Sequence, residues 1–298
     1  MISIGNEMKE QEPSRTAFAA ATHRAIHQVV EKGKIFSDPL ALTIVGMKAE
    51  DVQHEDELQM SGLGIRLFIA ARSSYAEAAL WRAIEQRGVR QIVILGAGLD
   101  TFAYRSQLPA NTRVFEVDHP ATQAWKRRRL EQVRIERPDS LIYAPVDFES
   151  DTLLDGLNAV GFDSAQRSFF IWLGVVPYLT EQAIDLTLGA IASLAGGAEV
   201  VFDYSDPPSS FSMELLALHQ ARAARVAAVG EPFLSYFDPA KLHEKLRELG
   251  FSEIDDVIGR RLLSDYLERP TTTARSSPEN GGPGSGGGHV LFAATQFA

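Results

Sequence analysis

Between Arg90 and Tyr204 the sequence repeats one unit: a short apolar run that stops at a glycine or an acid, then a segment of helical character. The runs are QIVILGAG from Gln91, TRVFEVDH from Thr112, LIYAPVDF from Leu141, SFFIWLG from Ser168 and AEVVFDY from Ala198. Helical patterns fill 119–136, 150–160 and 181–194. A strand that is apolar at nearly every position is buried on both faces, and a helix between two such strands is the usual crossover of a parallel sheet. The expectation is an α/β fold with a doubly wound sheet carrying five parallel strands between 91 and 204.

The flanks are of a different kind. Residues 1–13 are polar and expected to be loose. From Ser14, with Ser14 or Thr16 as cap, Phe18, Ala21, Ala25 and Val29 recur at helical spacing up to Gly33. Asp38-Pro39 predicts a second helix with Asp38 as its N-cap. An Ala-rich pattern over 63–87 ends at Gly88. The first 88 residues therefore read as all-helical, and 89–298 as a doubly wound, Rossmann-like domain. Within that domain, 205–233 is a helical insertion with its helix at about 209–229, and another helix follows at 238–249. Two closing strands, FSEIDDVI and HVLFAATQ, approach a hairpin interrupted by 259–288, whose ENGGPGSGGG stretch (Gly-rich over 280–288) is a flexible loop by composition.

Charge and composition narrow the function. With 39 acids against 29 bases, the formal charge of −10 disfavours nucleic acid, which needs clustered Lys and Arg. No apolar run reaches the roughly 20 residues that cross a bilayer, and the N-terminus has no signal-like apolar core. The absence of cysteine excludes disulfides and thiolate chemistry, and seven scattered His residues give a metal site little support. The expectation is a cytoplasmic, metal-free protein with no membrane or nucleic-acid partner. Its oligomeric state is not readable.

In an open α/β sheet, ligands sit beyond the carboxyl ends of the strands. Gly96 and Gly98 at the first exit permit close approach of a ligand, or serve only a tight turn. Asp118, 20 residues beyond Gly98, is placed to accept from ribose hydroxyls, or to cap the helix that His119-Pro120 opens. Glu116, two residues back, is the weaker ribose candidate. Asp147 could accept from an adenine amine while Phe148 gives a backbone N–H and an apolar wall; a helix cap is the alternative. At the fourth exit Pro177 stiffens the loop and Tyr178 offers a hydroxyl. The third glycine of a pyrophosphate loop is missing, and no GKS or GKT is present. These exits describe a pocket for adenosine without pyrophosphate, which leaves S-adenosyl-L-methionine as the cofactor that fits.

At these residues the sequence resembles the leucine carboxyl methyltransferase-like family of S-adenosyl-L-methionine-dependent methyltransferases, including its actinobacterial-type members. TAFAAATHRA, FSDPLAL, FIAARSSY, VILGAGLDTFAYR, VFEVDHPATQAWKRRRL, PVDFE, FFIWLGVVPYLT, VVFDYSDP and GEPF occur in family order from Thr16 to Phe233. The resemblance implies a class I methyltransferase fold: a seven-stranded, mostly parallel sheet with one antiparallel strand under a helical cover. It implies that Arg72 contacts the cofactor carboxylate, that Gly96 and Gly98 underlie its methionine part, that Asp118 binds ribose and that Asp147 and Phe148 bind adenine. Arg24 holds the place of a basic residue that faces cofactor and substrate. Two departures are visible: Phe102 stands where the family often has Arg, and Leu173 stands where leucine carboxyl methyltransferases proper have Glu.

A carboxylate acceptor needs no general base, which suits a site without an evident catalytic His; His23 and His119 read as capping or surface residues. The expectation is an O-methyltransferase acting on a small molecule at a carboxylate, with Arg24 and Tyr178 orienting the acceptor. Phe18, Phe68, Tyr75, Phe211 and Met213 are expected to line an apolar acceptor site. A nicotinamide-dependent Rossmann oxidoreductase and a non-catalytic S-adenosyl-L-methionine binder are the alternatives.

Overall fold

Seven strands form one sheet in the order β3-β2-β1-β4-β5-β7-β6. The structure is a computed structural model and describes residues 14–54, 62–267 and 287–296; the N-terminal stretch 1–13 and most of the Gly-rich loop lie outside them. Strands β1 (Gln91–Leu95), β2 (Arg113–Asp118), β3 (Leu141–Pro145), β4 (Ser168–Trp172) and β5 (Ala198–Ser205) run parallel, as the apolar runs predict. β7 (Gly288–Thr295) is antiparallel to both β5 and β6 (Phe251–Ile258).

Alternation along each strand splits the core in two. Val93, Leu95, Phe170, Trp172, Val200 and Phe202 face one side, with residues of α7 (Leu153–Ala159), α8 (Glu181–Ala192) and α10 (Pro239–Leu249). Ile92, Ile94, Phe169, Ile171 and Val201 face the other, with the alanine-rich face of α4 (Leu63–Arg87). Phe102 fills this second core from the one-turn helix α5 (Phe102–Arg105), its ring 6.3 Å from that of Trp81. The Arg–Phe departure is thus a packing residue.

Crossover helix α6 (Pro120–Gln132) joins β2 to β3, and it brings Lys126 to 2.7 Å from the buried Glu116. Burial raises the Glu116 carboxyl to about 7 against the opposing pull of Lys126, and this pair accounts for Glu116 within the core.

The N-terminal helices begin with α1 (Arg15–Val30), capped by Ser14, whose hydroxyl accepts from the Ala17 N–H; the last of them, α4, belongs to the sheet's core. The helix expected from Asp38 starts later, as the five-residue α2 (Ala41–Val45) with Leu40 at its N-cap. Asp38 shapes the turn before it instead: Oδ1 accepts from the Leu40 N–H at 3.0 Å, while Oδ2 accepts from the Thr101 hydroxyl at 2.7 Å and lies 2.7 Å from Arg24. A short α3 (Ala49–His54) follows. In the insertion, α9 (Met213–Ala228) is shorter than expected and contains no buried residue, so it lies over the molecule as a cover. Helix α11 (Gly259–Leu267) packs against α4. Among the described residues no helix is long and apolar enough to cross a membrane.

Candidate active site

The strand order reverses between β1 and β4, and the loops leaving these strands touch. Gly96 has φ +60°, and a Cβ there would stand 2.3 Å from Val175 Cγ2. Gly98 has φ +45°, and a Cβ there would come within 3.1 Å of Ala17 on α1. At Gly96 both conformation and space exclude a side chain, and at Gly98 the positive φ disfavours one in an already tight contact. The Gly98 N–H donates to Asp118 Oδ2, and the His119 N–H donates to Oδ1 at 2.7 Å. The cap of α6 is His119, whose Nδ1 accepts from the Ala121 N–H at 3.2 Å. Asp118 is therefore not the cap and its carboxylate faces the glycine turn. Burial raises its pKa, and the two backbone N–H groups oppose that rise.

At the β3 exit, Asp147 Oδ1 accepts from the Glu149 N–H at 3.0 Å, while Thr152 caps α7. Asp147 thus fixes a turn, and Phe148 leans on the core. At the β4 exit, Gly174 at φ +73° donates its N–H to Asp203 Oδ1 at 2.5 Å. Asp203 Oδ2 accepts from Arg72 Nη1, also at 2.5 Å. A Cβ at Gly174 would lie 2.7 Å from Arg72 Nη2, so the glycine makes room for that guanidinium. Arg72 is 7% exposed, and its Nε has no hydrogen-bond partner. The Tyr178 hydroxyl lies against Thr16 and Arg222, and burial raises its pKa, which keeps it neutral.

All eight expected site residues line one cavity of about 320 Å³: Arg24, Arg72, Gly96, Gly98, Asp118, Asp147, Phe148 and Tyr178. Arg24 is tied down within it. Its Nη2 donates to the Leu99 carbonyl at 2.6 Å and its Nε sits 2.7 Å from Asp38, so it pins the β1 exit to α1 in a buried ion pair. Leu173, at the second departure, also lines this cavity.

A second cavity of about 590 Å³ adjoins the first, with Arg72 on the wall of both. Asp203, Phe68, Phe211, His219, Arg222 and Phe233 line it. Arg24 and Tyr178 lie on the smaller cavity and are absent from the wall of the larger. Phe68 and Phe211 fall where the sequence predicts, whereas three others do not. Phe18 packs edge-on to Trp125 at 6.3 Å, the Tyr75 hydroxyl donates to Asp255, and Met213 is 90% exposed. Sequence reasoning missed His219 and Arg222. The available signal was that Leu215, Leu218, His219 and Arg222 fall three or four apart, on one face of α9. His23 is held neutral, its pKa lowered to about 4 by burial first and by nearby arginines second, and His119 is a cap.

Residues 17–192 match the leucine carboxyl methyltransferase family. The chain is 31% identical over 273 residues to YktD of Bacillus subtilis, named as a candidate S-adenosyl-L-methionine-dependent methyltransferase; the match covers 82% of this chain and 88% of that one. A relative of Streptomyces avermitilis, likewise named as a candidate S-adenosyl-L-methionine-dependent methyltransferase, is 32% identical over 196 residues, covering 63% of this chain and 68% of its own. Among solved structures, a candidate methyltransferase from Thermobifida fusca shares the fold, with TM-score 0.54 at 16% identity and 97% of both chains covered.

Proposed function

This chain belongs to the leucine carboxyl methyltransferase family and is an S-adenosyl-L-methionine-dependent methyltransferase, and we propose that it methylates an oxygen of a small-molecule acceptor, a carboxylate seated in the larger cavity. The observation that carries this reading is the pair of abutting cavities that share Arg72.

The smaller cavity suits the cofactor. Asp118 sits 20 positions beyond Gly98 and accepts from its N–H, where ribose hydroxyls would add to the donors it meets. Asp147 and Phe148 flank the place for adenine. Arg72, with a buried Nε lacking a partner, suits the methionine carboxylate. When bound, the cofactor supplies a methyl group on a sulfonium, which a carboxylate oxygen takes with no proton to remove while the sulfur keeps the bonding electron pair.

The chain's own task is then placement and exclusion of water. Orientation of two reactants is worth about 7–11 kcal/mol, and α1, α4 and α9 cover the junction. Arg222 on α9 faces the larger cavity, and no carboxylate lies within ion-pair distance of it among the described residues. The neighbouring Arg72 charge disfavours a second guanidinium here, and an acceptor carboxylate would offset that repulsion. Tyr178, on the smaller cavity, lies with its hydroxyl against Arg222 and steadies that guanidinium from behind. Arg24, bound to Leu99 and Asp38, supports the reaction by holding the glycine turn.

The nicotinamide alternative lacks support once the family is known, and the GAG turn has no third glycine. The test is methyl transfer from radiolabelled cofactor into a metabolite extract, followed by mild base. Carboxyl methyl esters release labelled methanol under base, whereas ethers do not. Label that stays base-stable would contradict a carboxylate acceptor.

A further inference from the structure

The rings on the larger cavity are in serial contact. Phe211 meets His219 edge-on at 5.2 Å, His219 lies nearly parallel to Phe233 at 5.6 Å and 20°, and Phe233 meets Tyr178 at 5.3 Å. The first three line the larger cavity and Tyr178 lines the smaller, so the ladder runs from one to the other. At its inner end the Arg222 guanidinium lies 5.2 Å over the Phe233 ring. The His219 ring is fixed by a 3.0 Å contact of Nε2 with the Tyr236 hydroxyl. Desolvation and Arg222 lower the pKa of His219, so it presents a neutral ring.

We propose that the acceptor is an aromatic monocarboxylate, its ring body on the Phe211–His219–Phe233 wall and its carboxylate on Arg222. This rests on the carboxylate reading above and adds the chemical class of the acceptor. An aryl acid is planar, so stacking its rings fixes the direction of its carboxylate, and it freezes fewer rotors than an alkyl acid of equal area. Arg presents a planar fork that matches a carboxylate. A volume of about 590 Å³ falls in the range of drug-sized ligands, which calls for fused or linked rings. The product is the methyl ester: its O–CH₃ bond replaces the sulfur–methyl bond, whose electron pair stays on sulfur. The neutral ester loses its attraction to Arg222, which favours release.

The experiment uses the full chain with S-adenosyl-L-methionine and four probes: 2-naphthoate, pyrene-1-carboxylate, dodecanoate and 2-naphthol. Ester or ether is read by mass spectrometry, and acceptor binding by calorimetry in the presence of S-adenosylhomocysteine. The two aryl acids are expected to bind and be esterified with kcat/KM about tenfold above dodecanoate, as two ring contacts allow. Phe233→Leu, checked for folding by thermal melting, should remove that preference. Arg222→Gln should lower kcat/KM for both aryl acids by about 10- to 100-fold, with Arg222→Lys intermediate. Equal or better use of dodecanoate overturns the aromatic class and leaves carboxyl methylation standing. Ether from 2-naphthol with no ester from any acid overturns the carboxylate reading itself. S-adenosylhomocysteine binding without binding of either aryl acid overturns the aromatic class.

Discussion

Thr16 and Glu231 lie 215 positions apart, yet the Thr16 N–H donates to a Glu231 carboxylate oxygen at 3.0 Å. The same carboxylate accepts from the Arg15 N–H at 2.9 Å, the Ser14 hydroxyl at 3.0 Å and the Thr16 hydroxyl. It occupies the N-terminus of α1, where unsatisfied N–H groups and the helix dipole favour a negative charge. Glu231, Ser14 and Thr16 all line the smaller cavity, so this contact fastens the segment after α9 over the cofactor site. Glu231→Ala should cost about 1–3 kcal/mol in urea denaturation and speed release of S-adenosylhomocysteine in stopped flow. Unchanged stability and release would show that the contact holds nothing shut.

Asp118→Ala removes two charge-assisted acceptors from the ribose site. Affinity for S-adenosyl-L-methionine by calorimetry should fall by about 100-fold or more, with the near-ultraviolet circular dichroism spectrum preserved. Near-wild-type affinity would refute the ribose assignment.

Arg72 has two duties, and the choice of variant separates them. Arg72→Ala would leave the buried Asp203 uncompensated, which costs about 3–5 kcal/mol and confuses folding with binding. Arg72→Lys keeps a charge for Asp203 and loses the fork. Binding of S-adenosylhomocysteine should weaken by about tenfold, while 5′-methylthioadenosine, which lacks the amino-acid part, should bind nearly as before. Equal losses for the two ligands would contradict a carboxylate contact.

A titrating cluster secures the edge of the larger cavity. His289 on β7 lies 2.9 Å from Asp256 and 3.2 Å from Asp206 and stacks on Tyr204. Burial disfavours its charge, but the two carboxylates win and raise its pKa to about 9. A folded-state pKa above the unfolded one gives stability that is complete below about pH 6.5 and lost as pH rises through about 9. The loss is at most about 3 kcal/mol. Urea denaturation at pH 6.5 and pH 9.5 should show it in the wild type and not in His289→Gln. Equal pH dependence in both would remove His289 as the cause.

The strands were legible because burial on both faces forces apolar residues at successive positions, as in QIVIL and SFFIW, and because strand exits are where ligands bind. That rule alone led to Gly96, Asp118, Asp147 and Tyr178, which the fold brings to one cavity. What the sequence hid was choice of partner. Asp38 reads as a helix cap, but one of its oxygens holds the turn at Leu40 and the other goes to Arg24 and to Thr101, the latter 63 residues away. Arg222 and His219 were obscured because α9 buries none of its residues, so its spacing alone does not say which face meets a cavity. Tyr75 looked like a pocket wall, yet its hydroxyl is drawn to Asp255 on β6, 180 positions on. Such long-range pairings depend on sheet order, which local spacing does not encode.

The central claim is that the smaller cavity holds the nucleoside and the larger one the acceptor. A crystal structure of the complex with S-adenosylhomocysteine tests it most directly. The account predicts ribose hydroxyls on Asp118, adenine between Asp147 and Phe148, and the sulfur pointing past Arg72 toward Arg222. A nucleoside bound in the larger cavity, or lying with its adenine at Arg72, would contradict it.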